Sequence, residues 1–106
     1  MRINVVTLFP EYFEAPLRLS VVGRAARHGL VTFRVVNLRD FAHDRHRTVD
    51  DYPYGGGAGM VLKPEPFFEA VEALRPQGPI LLMSARGKRF EHEDAVRLSL
   101  EPELTL

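Results

Sequence analysis

The chain carries two short apolar runs, Ile3-Asn4-Val5-Val6-Thr7-Leu8-Phe9 and Val31-Thr32-Phe33-Arg34-Val35-Val36-Asn37. Both are rich in β-branched residues, and Pro10 bounds the first, as is typical of buried β-strands. Across residues 11–28, apolar side chains recur near helical spacing, although Pro16 should end or kink the first turns. Gly29 supplies a natural helix C-cap. The order of strand, helix and strand predicts a βαβ unit with two parallel strands.

The remainder of the chain continues this alternation. Residues 64–74 return to helical spacing, and Pro64 suits a first helical turn. Residues 79–84 are predicted to form a third buried strand, residues 85–88 a turn, and residues 91–100 a helix. Leu104-Thr105-Leu106 is typical of the start of a further strand. We therefore predict an α/β fold in which helices cover both faces of a parallel sheet, with ligands at the carboxyl ends of its strands.

Composition limits the classes of protein to which the chain can belong. Of its 106 residues 45% are hydrophobic and none is cysteine, so we expect one α/β domain without disulfides or thiolate metal sites. The 14 basic and 14 acidic residues give zero net charge, so any RNA contact must depend on a local patch. No apolar run reaches about 18 residues, which predicts no membrane span. We expect a cytoplasmic protein.

A long polar segment, residues 38–59, separates the second strand from the next helix and shows no periodicity. Its first half concentrates arginine and histidine side chains, which can contact phosphate oxygens and stack on bases. These are Arg39, His43, Arg45, His46 and Arg47. A solvated loop explains the same composition if the arginines pair with Asp40, Asp44, Asp50 and Asp51. Composition alone favours the solvated loop.

The second half of the segment, Gly55-Gly56-Gly57-Ala58-Gly59, lacks large side chains. Such a run permits positive φ angles and close backbone approach, so a base, ribose or phosphate could lie against it. A flexible hinge explains the glycines equally well. The run has neither the Gly-Lys-Ser/Thr ending of a P-loop nor the G-x-G-x-x-G spacing after a strand, which argues against a nucleotide hydrolase.

Three smaller features also bear on chemistry. Asp50 and Asp51 can act as an acid or base or hydrogen-bond a base edge, but adjacent acids are also ordinary loop composition. His43 and His46 lie three residues apart, yet without further ligands we predict no metal site. Residues 83–87 follow the third predicted strand, where a parallel sheet places ligand loops, although these residues alone favour a plain β–α connection.

The whole string from Arg39 to Met60 resembles the signature of bacterial tRNA (guanine-N1) methyltransferases. The most specific parts are His46-Arg47-Thr48-Val49-Asp50-Asp51 and Pro53-Tyr54-Gly55-Gly56-Gly57-Ala58-Gly59-Met60. Further similarity lies in Leu8-Phe9-Pro10-Glu11 with Phe13, in Gly23-Arg24-Ala25 and in Ser84-Ala85-Arg86-Gly87, so the resemblance spans the chain. It implies transfer of a methyl group from S-adenosylmethionine to N1 of the guanine just 3′ of the anticodon in tRNA.

The resemblance also implies a SPOUT-type trefoil-knot fold and a homodimer with active sites across the dimer interface. The loop after the third strand would form one wall of the donor pocket. The cofactor-binding residues implied are Leu82, Met83, Ser84, Ala85, Arg86 and Gly87. Because the family more often has proline and glutamine in place of Ala85 and Arg86, we expect backbone contacts there. The tRNA-binding residues implied are Arg47, Asp50, Gly55, Gly56, Gly57, Ala58 and Gly59, and some relatives have proline in place of Ala58.

We expect residues 1–106 to be an incomplete SPOUT-type domain, the amino-terminal part of the enzyme, truncated before the knot closes. The family's knot-closing loops and its proposed aspartate base lie beyond Leu106, so no catalytic residue is assigned and the chain alone is predicted to be inactive. An alternative is a non-catalytic RNA-binding module that uses residues 39–59. A nucleotide-binding enzyme with a glycine loop is the third hypothesis. In each case we expect residues 39–59 to be the most mobile segment, because few apolar side chains hold it.

Overall fold

A computed structural model describes residues 1–106, with strands and helices alternating along the chain. The strands are β1 (Arg2–Thr7), β2 (Thr32–Asn37), β3 (Asp50–Asp51), β4 (Val61–Leu62) and β5 (Glu103–Thr105). The α-helices are α1 (Glu11–Glu14), α2 (Ser20–Arg27), α3 (Pro64–Leu74) and α4 (His92–Ser99), and 3₁₀ helices cover Pro16–Arg18 and Leu38–Phe41. The predicted α/β class is confirmed. None of the helices combines the length and the hydrophobicity needed to cross a bilayer.

The main sheet places β1 between β2 and β5, and all three strands are parallel. Val5 lies beside Val35, and Ile3 lies beside both Phe33 and Leu104. Residues in register on neighbouring strands point the same way, so these apolar side chains share one face of the sheet. The predicted βαβ unit and the strand begun at Leu104 are therefore confirmed.

Helices contact both faces of this sheet. On the face that carries Val35, a cleft is lined by side chains from β2 together with Phe13 of α1 and Ala26 of α2. Val6 points to the opposite face, because side chains alternate along a strand. There it packs against a small core to which α3 contributes Ala70. The contacts thus agree with the predicted layering of helices on either side of a parallel sheet.

Two of the predicted helices have the expected ends. Residues 64–74 form α3 with Pro64 in its first turn. The segment 11–28 is divided around Pro16 into α1, a 3₁₀ turn and α2, because proline cannot supply the N–H that a continuous helix needs. At the end of α2, Gly29 has a φ of 72° and donates its N–H to Ala26 O at 3.1 Å, while Leu30 N–H donates to Ala25 O at 3.0 Å. These two bonds form a Schellman motif, so the predicted glycine C-cap is confirmed.

The prediction of a third strand over residues 79–84 is wrong. Only Ile80 forms a β-bridge, to Thr105, and Leu81 N–H donates to Thr105 O at 2.7 Å. The backbone N–H and C=O groups of a strand need partners on a neighbouring strand. β5 supplies such partners only as far as Leu81. Leu82 and Met83 are consequently 84% and 73% exposed, not buried as their apolar run suggests.

The segment predicted to be a structureless loop is partly ordered by short elements. Asp50 pairs with Leu62 and Asp51 with Val61, which makes β3 and β4 a small antiparallel ladder. Val49 is 1% exposed and belongs to the buried core, and its carbonyl accepts a hydrogen bond from Lys63 N–H at 2.8 Å. A single buried valine beside two-residue strands leaves no periodic pattern, so the sequence did not predict that Val49 is buried.

Candidate functional site

The glycine run lies in the connection between β3 and β4. Its four glycines, Gly55, Gly56, Gly57 and Gly59, have φ angles of 84°, 86°, 113° and 92°. Residues with a Cβ rarely adopt such angles, so the glycines are needed for the path of the backbone. A Cβ built at any of the four meets no atom within 4 Å. The run therefore forms an open backbone surface, and its glycines adopt the positive φ angles that the sequence permits.

A tight turn over residues 43–49, which we call the basic turn, precedes β3. Within it the Asp44 carboxylate accepts two hydrogen bonds from Thr48, one from the backbone N–H at 2.7 Å and one from the hydroxyl at 2.6 Å. Arg47 N–H donates to Asp44 O at 3.1 Å, which closes the turn. The hydroxyl of Thr48, followed by its backbone N–H, lowers the pKa of Asp44 below the ordinary range. The carboxylate is thereby kept charged and bound to Thr48.

Two side-chain contacts join residues of the basic turn to neighbouring carboxylates. His43 Nε2 lies 2.5 Å from Glu69 Oε2 on α3, and Arg47 Nη1 lies 3.8 Å from Asp40 Oδ1. Arg39 also donates to Arg47 O at 3.2 Å. Of the segment's four aspartates, only Asp40 pairs with an arginine, so the solvated-loop interpretation describes only part of what these side chains do.

A cleft of about 530 Å³ separates this segment from the start of α3. Its walls include the His43–Glu69 pair, Lys63 and the rings of Tyr52 and Tyr54. The two tyrosines are 79% and 106% exposed, so their faces are available for stacking. Aromatic faces, a cation and carboxylates are the groups that stack a nucleobase, neutralise a phosphate and hydrogen-bond a base edge. The cleft can therefore hold part of a single-stranded nucleic acid.

The residues implied for tRNA binding share one part of the molecule. Asp50 forms the first residue of β3, the basic turn with Arg47 leads into that strand, and the glycine run leads out of it. Asp50 is half-buried in the ladder, whereas Arg47 and the glycine run with Ala58 are exposed. The structure therefore brings all seven of these predicted residues to the β3–β4 hairpin and its approach.

The residues implied for cofactor binding form a separate turn. Gly87 N–H donates to Ser84 O at 3.1 Å, and Arg86 N–H donates to Ser84 Oγ at 3.2 Å. This turn with Leu82 and Met83 lines a second cleft against α4, which shares no residue with the cleft beside His43. Ala85 is exposed within the turn. The predicted turn at residues 85–88 is confirmed, and within this chain the two predicted sites are distinct.

At the edge of the second cleft, Asp94 links the turn to the start of α4. Its carboxylate lies 3.0 Å from Lys88 Nζ and also accepts from Glu91 N–H at 3.2 Å. The Lys88 hydrogen bond, followed by that of Glu91, lowers the pKa of Asp94 below the ordinary range. The helix start and the turn are therefore tied together by one ionised carboxylate.

Sequence reasoning missed the contacts that Asp44, Thr48 and Glu69 make in this region. The spacing of an aspartate four residues before a threonine is a weak signal for a side-chain clasp, since aspartate commonly bonds to nearby backbone N–H groups. Glu69 gave no signal, because its contact with His43 joins residues 26 apart along the chain.

Comparison with known proteins gives a consistent result. A family model described as tRNA (Guanine-1)-methyltransferase TrmD matches residues 1–106. The tRNA (guanine-N(1)-)-methyltransferase of Dictyoglomus turgidum is 50% identical over 107 residues, covering 100% of this chain and 44% of the relative. The proteins of that name from Dehalococcoides mccartyi strain CBDB1 and Koribacter versatilis are 51% and 48% identical, again over 100% of this chain and over 44% and 43% of their own lengths. The chain thus spans less than half the length of the curated relatives it matches.

Proposed function

The chain belongs to the tRNA (guanine-1)-methyltransferase family, and from this premise we propose that the protein carrying it transfers a methyl group to N1 of a guanine in tRNA. We propose that the target is the guanine just 3′ of the anticodon. The observation that carries the proposal is the β3–β4 hairpin, where an exposed glycine backbone, a basic turn and a tyrosine-lined cleft adjoin one another. Such a surface suits a single-stranded RNA loop with splayed bases, because most sequence-specific RNA recognition targets loops of this kind.

S-adenosylmethionine is the proposed donor, and residues 82–87 are proposed to hold it. These residues fit S-adenosylmethionine, because the exposed side chains of Leu82 and Met83 offer apolar surface to its adenine ring. Their backbone N–H groups make no backbone hydrogen bond, so they are available to donate to the ligand. The tight turn at Ser84 and Gly87 would fix the direction of these groups. When bound, the sulfonium supplies an electrophilic methyl group.

For the hairpin we propose a division of roles. Arg47 would contact RNA phosphate, while Asp50 would accept from a base edge and thereby orient the guanine. The backbone at residues 55–59 would lie against the base or its ribose, since no side chain larger than that of Ala58 intervenes. Loss of the proton from guanine N1 requires a base. We propose that this base is contributed by a part of the enzyme outside residues 1–106.

We further propose that residues 1–106 are the amino-terminal part of a SPOUT-type trefoil-knot domain in a cytoplasmic homodimer. The share of the relatives' length that the chain covers, about 44%, supports this proposal. The position of residues 82–87 supports it as well, because one open turn can supply only one wall of a donor pocket. On this proposal, residues 1–106 by themselves transfer no methyl group.

A non-catalytic RNA-binding module is the second candidate function. It is favoured by the fact that the hairpin, the basic turn and the cleft all lie within these 106 residues, whereas no catalytic base can be assigned among them. The two functions differ in whether the product contains N1-methylguanosine.

The test is a methyl-transfer assay with isotopically labelled S-adenosylmethionine and a tRNA transcript that has guanine 3′ of the anticodon. A transcript with adenine at that position serves as the control. We expect the complete protein to form N1-methylguanosine on the first transcript alone, and residues 1–106 to form none. Tight binding of the tRNA by the complete protein without methyl transfer would favour the RNA-binding module and contradict the enzyme.

A further inference from the structure

We infer that Asp44, Thr48 and Glu69 are positioning residues, which hold the basic turn in one shape before RNA arrives. The inference rests on the proposed function, because it assigns roles within the same tRNA-binding surface. None of the three would touch the reacting atoms. Each acts instead through the arginine and histidine side chains that the turn presents.

Both ends of the basic turn contact other parts of the fold. At its carboxyl end, Val49 is buried in the core and its carbonyl accepts from Lys63 N–H. At its amino end, His43 contacts Glu69 of α3, which directly precedes the buried Ala70. The turn therefore spans a fixed gap between the core and α3.

Hydrogen bonds hold the interior of the turn as well. Both oxygens of the Asp44 carboxylate are used by Thr48, at 2.7 Å and 2.6 Å. Hydrogen bonds to an ionised acceptor are stronger than those between neutral groups. No lysine or arginine pairs with Asp44 in the structure, so its charge is committed to the turn and not to a neighbouring cation.

The tip of the turn presents its side chains to solvent. Arg45, His46 and Arg47 occupy its tip and are all exposed. Arg47 has a φ of 50°, a left-handed conformation that a residue with a side chain adopts only when its surroundings impose it. The bond from Arg47 N–H to Asp44 O provides part of that constraint. Three cationic or titratable side chains thus project from a backbone held in one conformation.

The chemistry at the tip selects RNA phosphate as the ligand. Arg45 makes neither an ion pair nor a side-chain hydrogen bond within the chain, so its five N–H donors are available. A turn that is ordered in advance loses less conformational entropy when it binds a backbone phosphate. The His43–Glu69 pair itself is exposed, at 72% and 43%, and exposed pairs of this kind contribute little to folding. A role in presenting the turn accounts for the pair better than a role in stability.

The principal experiment compares Thr48→Val with Thr48→Ser in the complete protein. Valine keeps the shape of threonine but loses the hydroxyl, whereas serine retains the hydroxyl that donates to Asp44. We expect Thr48→Val to raise the KM for tRNA roughly tenfold, as freeing about one residue of backbone would, and to change kcat by less than about twofold. Thr48→Ser should restore the wild-type KM. Thr32→Val, a matched change at an exposed strand residue, should leave both constants unchanged.

A second experiment compares Glu69→Gln with Glu72→Gln, since both glutamates lie on α3 and only Glu69 contacts the basic turn. We expect a rise of about three- to fivefold in the KM for tRNA for Glu69→Gln alone, because the pair is exposed. The affinity for S-adenosylmethionine, measured by calorimetry, should be unchanged in both variants. An equal effect of the two changes, or a fall in donor affinity that matches the loss for tRNA, would overturn the role of Glu69.

The outcomes separate this inference from the proposed function. If the wild-type protein methylates tRNA and Thr48→Val has the wild-type KM, the positioning role is wrong and the enzyme stands. The same conclusion follows if serine fails to rescue. If the wild-type protein does not methylate tRNA, the enzyme is wrong, and the dissociation constant for tRNA without donor then tests the turn with the same variants and the same expected tenfold change.

Discussion

Gly59 and Gly29 share an unusual backbone conformation but lie in different parts of the molecule. Their φ angles are 92° and 72°, and a Cβ at either position meets no atom within 4 Å. Replacing either with valine should therefore impose a similar strain of about 1–2 kcal/mol on folding. Only Gly59 belongs to the surface proposed for tRNA, so the pair separates a functional effect from a structural one.

We predict that Gly59→Val in the complete protein raises the KM for tRNA at least tenfold, while Gly29→Val changes it by less than about twofold. Thermal unfolding should show comparable losses of stability for both variants. Donor affinity should be retained in both. If Gly59→Val weakened donor binding as much as tRNA use, the glycine run would be a structural hinge and not a binding surface.

The buried carboxylate of Glu103, in the main sheet, should make the stability of the fold depend on pH. Asn4 donates from its amide to Glu103 Oε1 at 2.8 Å, and Gln77 N–H donates to Glu103 Oε2 at 3.0 Å. The Asn4 hydrogen bond, then that of Gln77 and the charges of Arg2 and Arg34, lower the pKa of Glu103. Because the folded pKa is the lower one, this carboxylate stabilises the fold above its unfolded pKa. That contribution is lost as the pH falls through the folded pKa.

We therefore predict that the unfolding temperature of the protein falls as the pH is lowered from about 6 to about 3, and that the stabilisation from Glu103 is progressively lost below about pH 4.3, the ordinary glutamate value. Glu103→Gln should start from a lower unfolding temperature and show a shallower decline over that range. Glu72→Gln, at an exposed helix position, is the control. Parallel pH profiles for wild-type and Glu103→Gln would show that the cluster around Asn4 does not contribute in this way.

Single residues differ in how far the sequence could predict them. Residue type shows that the glycine run can adopt positive φ angles, so this possibility was foreseeable. The Asp44–Thr48 clasp depends on a turn that no composition rule specifies. The pairing of Asn4 with Glu103 joins residues 99 apart and exists only because β5 lies beside β1. The sequence therefore predicted local backbone needs but not side-chain partners brought together by the fold.

Among the elements, the sequence predicted helices reliably, because their signals lie within one segment. It predicted strands less reliably, because a strand forms only where a neighbouring strand is present. The prediction for α3 succeeded because Pro64 and the apolar spacing both lie within the helix. The strand at residues 79–84 failed because β5 pairs with only its first residues. β3 and β4 were missed because strands of two residues have no measurable period. Element type can be read from one segment only when that segment satisfies its own hydrogen bonds, as a helix does.

The mobility expected for residues 39–59 can now be divided between elements. The basic turn is closed by the Asp44–Thr48 clasp and Val49 is buried, whereas a Cβ built on any glycine of the run meets no atom within 4 Å. We predict by hydrogen exchange that the amides of Thr48 and Lys63 are protected, since they donate to Asp44 and Val49. Amides of residues 55 and 57–59 should exchange fastest, whereas Gly56 N–H donates to Pro53 O at 3.0 Å and should be slower.

The same hydrogen-exchange measurement, made with and without tRNA, tests how binding changes the protection of these amides. Binding of tRNA to the complete protein should slow exchange at residues 55–59 more than at Thr48, because an ordered amide has little further protection to gain. Thr48→Val should accelerate exchange across the basic turn in the absence of tRNA. Uniformly fast exchange over residues 39–59 in the free wild-type protein would contradict a turn ordered in advance.

At the scale of the whole molecule, the chain is more open than its length suggests. Only 11 of its 106 residues are buried, and the Cα radius of gyration is 15.6 Å, against about 13 Å for a compact domain of this size. An apolar cleft beside α4 includes Met83, Phe90 and Leu104, and Leu82 and Leu100 are also exposed. Small domains with little buried surface are marginally stable. The sequence predicted the α/β class but not this openness, because hydrophobic content does not reveal which apolar groups meet.

The final prediction concerns residues 1–106 prepared alone. With this much apolar surface exposed near Met83 and Leu104, we expect the isolated segment to bind a hydrophobic dye such as ANS strongly and to unfold in a broad, weakly cooperative transition. The complete protein, in which we propose that further parts of the enzyme cover that surface, should bind the dye weakly and unfold cooperatively. Circular dichroism should still show helix and strand in the isolated segment, which distinguishes loose packing from complete unfolding. A sharp transition without dye binding would show that the apolar cleft beside α4 closes within these residues, and the case for its being covered by the rest of the enzyme would fail.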